Sequence, residues 1–383
     1  MIAFGRPLRR RFMLEPGTAF LNHGSFGTAP RAVLGAADRW RRRMEANPDR
    51  FMREQLPGAL RRAAARLAGF LGVGEKDLAF VDNATAGVNA VLRSLALRPG
   101  DEILATTHTY NAVRQTMRHV CGRTGAKLVE ARIDLPVEDV AGLFLPVAEK
   151  MNRRTKLVVL DHIASPTGLI FPVRRLAALA RARGARVLVD GAHAPGQLEL
   201  DIASLGADWY TGNCHKWLFA PKGSGFLWAR SGAQAGLHPP VISHGYGRGF
   251  TAEFDWTGTR DFSAWLAVPD ALDFFLAMKP SRIRAYNHRL ATEAAQRIAD
   301  AWGTPLDGPP QLHGSMMAIR LPQSLQRSDP NQLMTEWAAR HRLVVAVMAI
   351  GGALWARISA QAYNAPGDYQ RLAALARGES GAP

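Results

Sequence analysis

The sequence predicts an α/β protein, with a mostly parallel seven-stranded sheet in a large domain and a smaller α+β domain. Three observations lead there. The chain has 383 residues, beyond the size at which a single apolar core keeps growing, so two domains in one body are expected. Short β-branched runs alternate with Ala/Leu/Arg stretches of helical character through the centre, the rhythm of βαβ units. Near residue 260 that rhythm breaks, and a long helical segment leads into short strands of different spacing. The large domain is accordingly placed at 17–260, and 1–16 with 261–383 form the small one.

The expected strands of the large sheet are "LAFVD" (78–82), "EILAT" (102–106), "KLVEA" (127–131), "KLVVLDH" (156–162), "RVLVDG" (186–191), "ADWYTG" (207–212) and "GFLWA" (225–229). Helices are expected at 84–97, 111–124, 138–152, 172–184 and 265–278. In the small domain, "SRIRAYNHRLATEAAQRIADAW" reads as a long helix. It is followed by "SMMAIRLP", a helix at 330–341, "LVVAVM" and "ALWARISA".

Composition narrows the function. An apolar fraction of 47% suits a globular enzyme, and no apolar run approaches the roughly 20 residues that cross a bilayer. The basic start "MIAFGRPLRRRF" has no apolar segment or small-residue cleavage site, so no secretion signal is expected. Two cysteines, Cys121 and Cys214, are too few for a disulfide framework, and a reducing cytoplasm is the simplest reading. The net charge of +16 comes from 48 Lys+Arg against 32 Asp+Glu. Its arginines are scattered through helical stretches, and the densest run, "RWRRRMEA" at 39–46, has no interleaved aromatic platform. Solvated helix faces explain the charge, and no nucleic-acid or membrane partner is expected.

Open α/β sheets bind ligands beyond the carboxyl ends of their strands, so the residues that follow each strand carry the search. After "LAFVD", Asn83, Ala84, Thr85, Ala86 and Gly87 open a helix. Small residues and a hydroxyl there leave backbone N–H groups free for a phosphate; an ordinary Asn cap is the alternative. After "RVLV" come Asp190, Gly191, Ala192 and His193. A carboxylate at the end of an apolar strand is costly to bury without a cation, and such an Asp can keep a pyridine nitrogen protonated. Accepting backbone N–H bonds in the following loop would explain it equally well. After "ADWYTG" come Asn213, Cys214, His215 and Lys216, with Lys216 26 residues beyond Asp190, room for one helix and one strand. Amine and carboxylate then emerge on one side of the sheet. A dehydrated lysine loses its proton readily and becomes a nucleophile. An Asp for a ring nitrogen with a Lys for an aldehyde is the protein's half of pyridoxal 5′-phosphate (PLP) chemistry.

These segments carry a resemblance. "LNHGSFGTAP", "VDNATAGVNAVL", "THTYNAV", "DHIASPTG", "VLVDGAHAPG", "GNCHKWLFAPKGSGFL", "WTGTRD" and "WARISAQAYN" span residues 21 to 364. In order and content the chain resembles the class-V aminotransferase group of PLP enzymes, and within it the isopenicillin N epimerase-like branch. The resemblance implies the PLP-dependent transferase (aspartate aminotransferase-like) fold. It implies that Lys216 bonds the cofactor's aldehyde, that Asp190 pairs with the pyridine nitrogen, and that His193 lies near the ring hydroxyl. Tyr110 falls where desulfurases carry a histidine stacked on the ring, and Ser165 is placed among the cofactor contacts. Ala84 and Thr85 would bind the phosphate, helped by Asn213 and His215. Thr259 resembles a residue donated to the phosphate by a neighbouring subunit, which implies a homodimer. Arg357 matches the arginine that grips an amino-acid carboxylate, with Asn22 and His23 placed at the substrate; His23 could as well fix a turn among glycines.

The implied activity is at the α-carbon of an amino-acid substrate, of epimerase type. A C–S β-lyase acting on a cysteine derivative and an aminotransferase are the alternatives. The intact Asp190, Lys216 and Arg357 argue against a non-enzymatic binding protein. Cysteine desulfurases carry a nucleophilic cysteine before the carboxylate-binding arginine; "RLVVAVMAIGGALWARIS" has none. No metal is expected, because His162, His193, Cys214 and His215 show no zinc-type spacing. The Gly-rich loop with His244 and Tyr246 is either a lid or a connection, and Trp217 and Trp228 read as core aromatics.

Overall fold

A computed structural model describes residues 2–375 and contains twelve strands. They are β1 (Ala19–Phe20), β2 (Leu78–Val81), β3 (Glu102–Thr106), β4 (Lys127–Ala131), β5 (Thr155–Asp161), β6 (Arg186–Gly191), β7 (Trp209–Asn213), β8 (Gly225–Ala229), β9 (Met316–Arg320), β10 (Leu343–Val344), β11 (Ala346–Ile350) and β12 (Ala353–Ser359). Seven form the main sheet in the order β2-β8-β7-β6-β5-β3-β4. All neighbouring pairs in it are parallel except those of β8, which runs antiparallel to both β2 and β7. This is the mostly parallel seven-stranded sheet expected, with strand ends shifted by one or two residues.

The sheet is covered on both faces, which is why its inner strands read as continuous apolar runs rather than alternating ones. One face packs on Val88, Val91, Val113, Met117 and Phe254, from the helices Ala84–Ser94, Asn111–Thr124 and Phe250–Phe254. The other packs on Leu60, Leu67, Leu143, Leu176 and Phe275, from Leu56–Leu71, Val140–Lys150, Val173–Ala182 and Val268–Ala277. Leu56–Leu71 has no counterpart among the expected elements. Its buried Leu60, Ala63, Ala64, Leu67 and Leu71 repeat at helical spacing, a stripe masked by the arginines between them. The helix expected at 84–97 stops at Ser94, and that expected at 265–278 is two helices, Ser263–Leu266 and Val268–Ala277. Pro269 opens the second at a position where its missing N–H costs nothing.

The smaller sheet is antiparallel, in the order β11-β12-β9, and has its own core of Leu290, Ile298, Ile319, Trp337 and Ile358. The long helix Pro280–Trp302 lies between the cores, with Ile283 in the larger and Leu290 in the smaller. β1 pairs in parallel with β10, while Leu8 and Phe12 of the N-terminal arm are buried in the larger core. No helix among the described residues is long and apolar enough to cross a membrane. The carboxyl ends of β5, β6 and β7 bring Asp161, Asp190 and Asn213 side by side, all buried.

Candidate active site

Lys216 follows β7 in a tight turn. Its carbonyl accepts from the Phe219 N–H at 3.3 Å, and Phe219 takes a left-handed conformation with φ 63°. A non-glycine residue held at positive φ is strain that surrounding structure must impose, here three residues beyond Lys216. Burial pulls the Lys216 amine down to about 7, with the charge of Arg357 adding and that of Asp190 opposing.

His193 touches the amine. Its Nε2 lies 3.1 Å from Lys216 Nζ and 3.2 Å from Ser165 Oγ. The Trp217 indole N–H donates to His193 Nδ1 at 3.3 Å. An indole nitrogen can only donate, so Nδ1 carries the lone pair and Nε2 the proton. Burial and the neighbouring Lys216 hold His193 well below its usual range, hence neutral. The geometry therefore aims an N–H at a lysine amine whose proton affinity is lowered to about 7. Trp217, read from sequence as a core aromatic, sets that tautomer; nothing in its spacing signals the role.

The helix Ala84–Ser94 points its first turn into the same cavity. Asn83 caps it, accepting from the Ala86 N–H at 3.0 Å, and the Ala84 N–H is donated to Asn213 Oδ1 at 2.9 Å. Ala84 and Asn213 thus hold each other, and Thr85 lines the cavity at the helix start. His215 donates Nδ1–H to the Ser224 carbonyl at 3.0 Å, and burial lowers it to about 4. Its Nε2 is consequently an acceptor until an anion raises its proton affinity.

Arg357, on β12, is fully buried and is lowered by that burial to about 10. It donates to the Ser165 carbonyl, to Asn22 Oδ1 at 2.9 Å and to Ser25 Oγ at 3.0 Å, while its Nε is buried without a partner. Asn22 therefore orients the guanidinium. Tyr110 precedes the helix Asn111–Thr124 and is 46% exposed at the cavity mouth.

Of the two roles expected for His23, the structure corrects the substrate contact in favour of the turn brace. His23 does not line either cavity described below. It is fully buried behind the lysine turn, with Nε2 2.9 Å from the Lys216 carbonyl and Nδ1 2.9 Å from the Tyr363 hydroxyl. Burial lowers it to about 3, so it is a neutral brace for the turn and not a substrate contact. Thr259 is exposed and lines neither cavity within this chain; the adjacent Arg260 pairs with Asp82. Cys214 is buried, its thiol pushed up by burial, and neither cysteine lines a cavity. No cluster of three or more His, Cys, Asp or Glu among the described residues could hold a metal.

Gly27 shows how closely the N-terminal segment seats the lysine. It has φ +63°, and a Cβ there would lie 2.0 Å from the His215 carbonyl oxygen. Gly27→Ala is expected to destabilise the fold by more than about 1 kcal/mol, read as a lower midpoint in denaturant unfolding.

Two cavities meet at Lys216. One, of about 310 Å³, is lined by Thr85, Tyr110, Asp190, His193, His215 and Lys216. The other, of about 750 Å³, reaches Arg357 past Ile133, Met348 and Ile350. The first fits PLP. Were PLP bound there, Asp190 would face its ring nitrogen, Lys216 its aldehyde and the helix start at Thr85 its phosphate. The unpartnered Asp161 Oδ2 and Arg357 Nε are buried polar groups with no protein atom to satisfy them.

The fold and this site define a class: the chain belongs to the aminotransferase class-V family, whose pattern matches residues 20–363. The family uses PLP. The chain is 36% identical over 398 residues to a putative L-cysteine desulfhydrase 1 of Oryza sativa subsp. japonica, covering 94% of this chain and 82% of that one. It is equally 36% identical, over 383 residues, to the isopenicillin N epimerase of Streptomyces clavuligerus, covering 95% and 96%. The apo cysteine desulfurase of Thermococcus onnurineus NA1 superposes with a TM-score of 0.84 over 99% of both chains, at 20% identity, a likeness of fold.

Proposed function

We propose that the chain binds PLP through Lys216 and acts at the α-carbon of an amino acid, and that its outcome is β-elimination from a cysteine derivative. The observation that carries the reading is the meeting at Lys216 of a cavity ending on Asp190 and one ending on Arg357. PLP, when bound, supplies an electron-accepting ring that eases removal of the Cα proton. Arg357 holds the substrate carboxylate with the N–H groups left free by Asn22, Ser25 and Ser165. Lys216, half uncharged near neutrality and steadied by the His193 Nε2–H, takes the α-proton. Trp217, buried against His193, closes the turn on the side away from the cavities.

Elimination needs only that base and a leaving group. The Cα–H and Cβ–S bonds break, the sulfur leaves as a thiol, and one water yields pyruvate and ammonia. Epimerisation needs in addition an acid on the opposite face. His23 lies behind the lysine turn, which leaves Tyr110, already placed to cover the ring, as the remaining expected donor. The relatives include a desulfhydrase and an epimerase at the same identity, so identity favours neither outcome. Tyr110 favours epimerisation as a second reading, since it lines both cavities.

Incubation with a panel of cysteine derivatives in deuterated water tests the outcome. Pyruvate with a released thiol is expected. Racemised substrate carrying α-deuterium, without pyruvate, would replace elimination by epimerisation, and accumulation of the pyridoxamine form would indicate a transaminase. The homodimer and a cytoplasmic location belong to the same proposal, with Thr259 reaching the partner's phosphate site.

A further inference from the structure

Asp161 and Asp190 face each other as register partners in the parallel strands β5 and β6. Neighbouring residues at one level of a sheet project to the same face, and both carboxyls line the cofactor cavity, 3% and 4% exposed. Asp161 accepts from the Thr109 hydroxyl and the Tyr110 N–H, while its Oδ2 is buried with no partner. Asp190 accepts from the Ala192 N–H at 2.9 Å through Oδ1. We propose that Asp161 is a second carboxyl group of the cofactor cavity, which shares a proton with Asp190 and positions both Asp190 and Tyr110 around the ring. This rests on the PLP reading.

Two carboxyls packed together in a dry site cannot both ionise. Burial, and then the charge of Asp190, push Asp161 well above the usual carboxylate range. Asp190 is also raised by burial, but the Ala192 N–H and Lys216 oppose the shift. The proton therefore resides on Asp161. The charged groups around the pair are few. Arg114 acts on Asp161, but it is bound to Glu130 at 2.7 Å and to the Thr107 carbonyl at 3.0 Å. Tyr210 feels Asp190 and is held neutral by burial, as is His162, whose Nδ1 lies 2.9 Å from the Tyr210 hydroxyl. Lys216 faces Asp190, and Tyr110 faces Asp161 through its backbone. A neutral Asp161 carries its proton on the unpartnered Oδ2, beside Asp190, which keeps its negative charge for the ring nitrogen. Its other oxygen fixes the segment that aims Tyr110 at the ring. Asp161 is thus a positioning residue, acting through its two neighbours.

The test compares the full-length protein with Asp161→Asn and Asp161→Ala. Asparagine mimics the protonated acid, donating through its amide and accepting through its carbonyl. Its PLP dissociation constant, read by absorbance on reconstitution, is expected within about threefold of the wild type, against a loss of about tenfold or more for alanine. Equal losses in both folded variants, or no loss in alanine, overturn the proposal. A second readout needs no cofactor. A buried acid with a raised pKa contributes stability that is present below its unfolded value and is lost as pH rises through the folded one. The apo wild type should therefore fall behind Asp161→Asn as pH rises from ~5 to ~8, by about 2–4 °C in melting temperature. A pH-independent gap overturns the shared proton whether or not PLP binds. Failure of the wild type to take up PLP while the gap widens overturns the cofactor reading instead.

Discussion

Lys216→Ala is expected to abolish covalent retention of PLP and to lower turnover by about 10⁴-fold, the upper range for losing a positioned acid–base group. The cause is local. Lys216 Nζ has the His193 Nε2–H at 3.1 Å and lies in a buried site where its amine is half uncharged at about pH 7. Alanine removes both nucleophile and base and leaves the His193 N–H pointing at empty space. The yellow colour of the purified protein should be lost on dialysis of the variant and retained by the wild type. A pH dependence follows with a definite sign. A lowered amine pKa leaves the reactive, uncharged form in the majority above about 7, so the rate of PLP capture by apo-protein should rise through that region and then level. Capture independent of pH, or unimpaired in alanine, would remove Lys216 from the chemistry.

Arg357→Lys is expected to cost about 2–5 kcal/mol in kcat/KM, although charge is conserved. The guanidinium is anchored on Asn22 Oδ1 and Ser25 Oγ from one side and on the Ser165 carbonyl from another. A lysine ammonium cannot hold three such anchors in a plane and also offer paired donors to a carboxylate. The loss should fall mainly on KM, because carboxylate binding serves the ground state and the transition state alike. Steady-state kinetics on the best substrate of the panel checks it, and an unchanged KM would place the carboxylate elsewhere. Asn22→Ala should give a smaller loss in the same direction, since it frees the guanidinium without removing it.

Much of the sheet was legible because its strands are short and buried on both faces, as in "RVLVDG", and are bounded by turn residues. Residues at the carboxyl ends of strands were legible for the same reason, and Asp190, Asn213 and Lys216 do meet in one cavity. Asp161 ends its strand as Asp190 does, within the quoted "DHIASPTG", but a carboxyl whose neighbours come from other elements gives no local signal. His23 misled because its glycine-rich setting fits a substrate contact and a brace equally; only the Tyr363 hydroxyl and the Lys216 carbonyl, 340 and 193 residues away in sequence, decide between them. Trp217 is similar, since a donor to His193 and a core ring look alike in one dimension.

The brace at His23 is one of several links between the two lobes, beside the Ser315 N–H donated to Gln197 Oε1 at 2.7 Å and the Arg357 contact with the Ser165 carbonyl. Tyr363, just beyond β12, grips the His23 ring, and Ser359 at the end of β12 accepts from the Gly24 N–H at 3.1 Å. Arg357 sits on that same strand. Any tilt of the smaller lobe toward an incoming ligand strains these links to the lysine's own peptide, so the anion clamp and the nucleophile are tethered through one histidine.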